Sequence, residues 1–108
     1  MSDVIVVLMT ASGADEARRI AQQLVESRLA ACVQILPEIE SVYRWHGAIQ
    51  RDKEVLLLMK TTADNFAALE KSVRAIHSYD TPEIVAVPAS GVSEPYRAWL
   101  IENVSAGG

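Results

Sequence analysis

His77, Asp80 and Glu83 stand close together in this 108-residue sequence, and chemistry is first sought there. Imidazole is the commonest side-chain ligand for transition metals, and carboxylates are frequent companions. The same histidine also suits the end of a helix, where unbonded carbonyls and the negative end of the dipole await it. Both readings stand, because no H-x-x-x-H, C-x-x-C or H-E-x-x-H spacing occurs to decide between them. The single cysteine, Cys32, lies between Ala31 and Val33. A nucleophilic role would need a base and an electropositive setting; among apolar neighbours the thiol reads as a small buried hydrophobe. His46 reads as a turn residue, and Asp52, Lys53 and Glu54 as a solvated strand face.

The element that positions these residues is a long β-hairpin from Ala31 to Thr61. Val33, Ile35, Ile39, Tyr43 and Trp45 alternate with polar residues, which predicts one apolar face. His46-Gly47 reverses the chain, since Gly enters φ > 0 freely and His does so more often than most. Each arm is then about 13–15 residues, or roughly 45 Å. Pro37 cannot donate to a ladder and marks a bulge or an edge.

Around the hairpin, Val4 to Met9 reads as a strand buried on both faces. Ser12 and Asp15 suggest a capping box for a helix ending near Ser27, with Ala17, Ile20, Ala21, Leu24 and Val25 as its apolar stripe. Thr61, Thr62 and Asp64 offer caps for a second helix that buries Phe66, Leu69, Val73 and Ile76. Glu83 to Ala89 reads as the last strand. A short third helix opens at Ser93-Glu94-Pro95 and carries Tyr96, Trp99, Leu100 and Val104.

The order β-α-β-β-α-β-α, with right-handed crossovers, predicts an α+β, ferredoxin-like sandwich with a protruding hairpin. Residues 1–104 form its single domain, and 105–108 read as a flexible tail. Two helices cover one face of such a sheet, yet its central strands are apolar on both. The open face must meet another subunit, so an obligate oligomer is expected.

Ala31-Cys32-Val33, Tyr43-Arg44-Trp45-His46-Gly47, Lys60-Thr61-Thr62, His77 to Ile84, and Tyr96 with Trp99 together resemble the CutA divalent-ion tolerance family. The resemblance runs nearly end to end. It implies a homotrimer similar in architecture to PII-type signalling proteins, and an association with copper and other divalent metals. The family's copper-associated cysteine and histidine pair are reduced here to Met9 and His77, so these two are the metal-ligand candidates the resemblance implies.

In a trimer, Lys60, Tyr79, Glu83 and Trp45, with Cys32 near the hairpin base, are expected to line a cleft between subunits that takes a small anion or a metal complex. The alternative is an interface salt bridge between Lys60 and Glu83. The expected function is a non-enzymatic metal-tolerance or sensing trimer, with a purely structural trimer as the alternative. The formal charge of −4 and aliphatic central strands argue against nucleic acid. Thr10-Ala11-Ser12-Gly13 lacks the arginine that an anion-cradling catalytic loop would need. The short apolar run near the N-terminus suits neither a signal segment nor a membrane span, which gives a cytoplasmic expectation.

Overall fold

Apolar alternation builds a four-stranded sheet, and helical spacing builds the layer that covers it. A computed structural model describes residues 3–106. It contains β1 (Val4–Ala11), α1 (Ala14–Glu26), β2 (Cys32–Trp45), β3 (Ala48–Thr62), α2 (Phe66–Ile76), β4 (Ile84–Pro88) and α3 (Glu94–Glu102), with a 3-10 turn at Ala63–Asn65 before α2. The sheet order is β2-β3-β1-β4, and all neighbours are antiparallel. This is the expected ferredoxin-like topology. The long hairpin stretches the molecule to 44 × 26 × 22 Å.

One sheet face carries Ile5, Val7, Met9 and Ala11 of β1 beside Val55, Leu57 and Met59 of β3. Ala17, Ile20 and Leu24 of α1 and Leu69 and Val73 of α2 close over them. The expected stripes run one residue too far, because Val25 is 43% and Ile76 38% exposed. Both stand in the last turn of their helix.

The other face carries Val6 and Leu8, Leu56 and Leu58, and Val85 and Val87. No described helix covers its middle. α3 packs at the Val4 end, where its Leu100 and the following Val104 join Val4 and Ala31 in one buried cluster. Val85 and Val87 are left 49% and 44% exposed. Tyr96 and Trp99 are not buried as the stripe predicted; they stack on each other at 5.4 Å and stay partly open. The mismatch between apolar strands and available helices is therefore present in the folded chain.

The hairpin corrects one expectation. Leu36 stands opposite Leu56 and Ile39 opposite Glu54, so Pro37 and Glu38 share Val55 as a bulge. Glu38 sits at φ 52, in the left-handed region. The extra residue shifts the alternation by one. Val33 and Ile35 face the helices, but Ile39, Tyr43 and Trp45 pair with Glu54, Gln50 and Ala48, on the side of Leu56 and Leu58. The sequence pattern had placed all five on one face. The bulge thus delivers the aromatic tip to the uncovered side of the sheet.

The turn forms as expected, with His46 at φ 49 and Gly47 at φ 78. Two positive φ values between paired Trp45 and Ala48 make a type I′ turn. Gly47→Ala should therefore cost about 1 kcal/mol, read from the urea midpoint, with no change of fold.

The expected tail is tied down at its start. Ser105 N–H donates to the Arg28 carbonyl at 2.8 Å, and Asn65 donates to the Ser105 carbonyl at 3.1 Å. The final Gly107 and Gly108 of that tail lie outside the described residues.

Candidate functional site

Glu16 is a charged residue in the first turn of α1, yet only 5% of it is exposed. Its Oε1 accepts from Ser12 N–H (3.1 Å), Ser12 Oγ (2.8 Å) and Ser78 Oγ (3.0 Å), and its Oε2 from Ser78 N–H (2.7 Å). Burial alone would raise its pKa, but these bonds, the backbone amides of Ser78 and Ser12 foremost, outweigh it and hold the carboxyl at about 2. The expected pairing of Ser12 with Asp15 is thus corrected by one residue. Asp15 points to solvent and meets Arg18 at 3.3 Å. The N-caps of α1 and α2, Gly13 and Asn65, make no side-chain cap bond, so the residue at the start of α2 is Asn65 and not one of the predicted caps. Thr61 Oγ1 instead donates to the Leu29 carbonyl at 2.7 Å.

Glu16 fixes the loop after α2, and His77 is held beside it. The His77 side chain is fully buried. Nε2 lies 2.8 Å from the Thr10 carbonyl, and Nδ1 accepts the Tyr79 N–H at 3.0 Å. A carbonyl can only accept, so Nε2 carries the proton and the ring is the neutral Nε2–H tautomer. Neither nitrogen retains a lone pair for a metal. Met9 is 0% exposed within the helix-side core. Among the described residues, no group of three or more His, Cys, Asp or Glu is placed to hold a metal ion. The donor set of one subunit therefore does not fit a resident metal, and a ligand role for His77 would require Nδ1 to give up the Tyr79 N–H. His77→Ala should leave Cu(II) and Zn(II) titrations unchanged within twofold, while lowering stability.

Beyond His77 the loop turns toward the hairpin. The Tyr79 hydroxyl donates to Glu54 Oε2 at 2.8 Å, and the Tyr43 hydroxyl donates to Asp52. Burial, followed by the Glu54 bond and the nearby carboxylates, pushes the Tyr79 phenol well above its ordinary range. Tyr43 is raised chiefly by its bond to Asp52. Between the loop and the hairpin lies a cleft of about 600 Å³ that includes Tyr43, Trp45, Glu54, Tyr79, Asp80 and Glu83 in its lining.

Three of the expected cleft residues, Trp45, Tyr79 and Glu83, thus share one cavity. Lys60 and Cys32 do not line it. They face each other across β2 and β3, opposite Val6, whereas Ile84, next to Glu83, stands opposite Met9. That offset is ~10 Å along β1. The alternative Lys60–Glu83 salt bridge is likewise not made within the subunit: Lys60 Nζ donates to Gln34 Oε1 at 2.5 Å. Cys32 lies beside Tyr96, whose phenol is raised by burial and by the thiol.

Sequence reasoning missed Glu16, and it read Glu54 as part of a solvated strand face, whereas Glu54 accepts from the Tyr79 hydroxyl. Glu16 carried one signal, its proximity to Ser12; Glu54 carried none, because its partner lies in a different element.

A sequence model of the family described as CutA1 divalent ion tolerance protein matches residues 5–103. The divalent-cation tolerance protein CutA of Thermus thermophilus is 50% identical over 98 residues, which is 91% of this chain and 95% of that protein. The chloroplastic protein CutA of Arabidopsis thaliana is 44% identical over 96 residues, 89% of this chain. The chain spans only 53% of that relative's length. Among solved structures, the divalent cation tolerance protein of Thermus thermophilus superposes with a TM-score of 0.92 at 48% identity, covering 94% of this chain and 99% of that one. CutA1 from Oryza sativa gives 0.94 at 40% identity, covering 97% and 96%.

Proposed function

Since this chain belongs to the CutA1 divalent ion tolerance family, we propose that it works as a homotrimeric, non-catalytic binding protein in divalent-cation tolerance, with its ligand held in clefts at the subunit junctions. The observation that carries this reading is the uncovered sheet face. Val6, Leu8, Leu56, Leu58, Val85 and Val87 form a continuous apolar surface on three paired strands. A surface of that kind is costly to leave in water, and identical copies are the simplest cover. The bulge turns Tyr43 and Trp45 to the same side, so a neighbour packed there meets the cleft as well.

A binding role is favoured over catalysis by the cleft's chemistry. Its carboxylates and phenols are bonded to each other, as in the Tyr79–Glu54 pair, and none of its described serines or threonines donates to a base. Sensing would follow the PII-type logic, in which occupancy at a junction alters how the hairpins present themselves; that part rests on likeness of fold.

The test is Leu58→Glu. Leu58 is half-buried at the centre of the open face, so a single subunit can still fold around the new charge. Light scattering at low micromolar concentration should show the wild type assembled and the variant dissociated, with the helical circular dichroism retained. A wild type that runs as single subunits would end this reading.

A further inference from the structure

The cleft's lining has one sign. It presents three carboxylates, Glu54, Asp80 and Glu83, and three aromatic rings, Tyr43, Trp45 and Tyr79, with no Lys, Arg or His among its lining residues. Asp80 and Glu83 make no ion pair among the described residues. An anion would meet repulsion here and no donor cluster to offset it. A bare metal ion needs several oxygens converging on one point, and these carboxylates do not converge. Spread negative charge beside aromatic faces suits a cation whose charge is also spread and whose body is apolar. The volume of about 600 Å³ is that of a small-molecule site.

Resting on the reading of this cleft as a ligand site, we infer that it takes an organic cation, a protonated polyamine, with ammonium groups at Glu54, Asp80 and Glu83 and the alkyl chain along Trp45 and Tyr43. The inference reverses the charge expected from a lining that included Lys60.

Spermidine is the probe, titrated calorimetrically into the intact protein, with magnesium chloride and inorganic phosphate as parallel titrants. Light scattering on the same samples reports assembly. Saturable binding of spermidine below millimolar is expected. It should weaken about tenfold in the Asp80→Asn/Glu83→Gln double variant and by a similar factor in Trp45→Ala. All three positions are exposed, so the variants should fold. Binding that magnesium reproduces, or that neither variant weakens, would show charge screening only and overturn the inference. So would binding of phosphate in preference to spermidine. An assembled protein that binds no spermidine overturns the ligand class and leaves the trimer standing. Single subunits that bind it overturn the trimer and the junction and leave the ligand class, since the carboxylates and rings named here all belong to one chain.

Discussion

Glu16→Gln should lower the unfolding free energy at pH 7 by about 3 kcal/mol, and the loss should vanish in acid. The carboxylate takes four hydrogen bonds, from the backbone and side chain of both Ser12 and Ser78. It thereby ties the turn after β1 to the loop after α2. Glutamine has one acceptor oxygen and brings two donors that face donors. The sign follows from the pKa. In the fold the carboxyl sits at about 2, below its ordinary 4.5. The unfolded chain binds the proton more readily, so the stabilisation is complete above about 4.5 and disappears as pH falls toward 2. A shift of that size corresponds to about 3 kcal/mol. Urea midpoints for both proteins, at one concentration across the acid range, should converge as pH falls. Parallel curves at every pH would show that the charge of Glu16 contributes nothing.

Inserting one alanine between Glu54 and Val55 should do more damage to assembly than any substitution at an exposed position. The added residue would oppose Glu38, so the bulge would close and alternation would run unbroken from Leu36 to the tip. Tyr43 and Trp45 would turn to the helix side of the sheet, away from the open face and the cleft. Light scattering should report dissociated subunits, and spermidine binding should be lost. Glu38→Gly is the control. Its ion pair with Lys53, at 3.6 Å and with both side chains well exposed, is worth little. Glycine accepts the left-handed conformation that Glu38 holds at φ 52, so assembly should be unchanged. An assembled insertion variant would show that the bulge does not set the tip's orientation.

The contrast between these two sites shows how far the sequence could be read. Element order followed from periodicity, because Val4–Ala11 and Ala48–Thr62 are long and Gly47 marks the turn between the arms. The open apolar face followed from counting helices against strands. Pro37 announced a bulge, but a bulge reverses the meaning of every later alternation, so Tyr43 and Trp45 were assigned to the wrong side. Only the Ser12 half of the Glu16 cluster was legible, because a glutamate in a first helical turn is ordinarily solvated and its other partner, Ser78, lies 62 residues away. His77 stood out for its residue type; its role is decided by the Thr10 carbonyl and the Tyr79 amide, which sequence spacing does not bring together. Lys60 and Glu83 read as neighbouring strand ends, yet Lys60 stands within β3 opposite Val6, while Ile84, next to Glu83, stands opposite Met9.

Whether copies of this chain close the open sheet face is answered most directly by small-angle scattering of the wild type in dilute solution. A forward-scattering mass three times the 11.8 kDa of the chain, holding at low micromolar concentration, is the expected result. A mass of one chain, with a radius of gyration near the 14.3 Å of the single subunit, would contradict it.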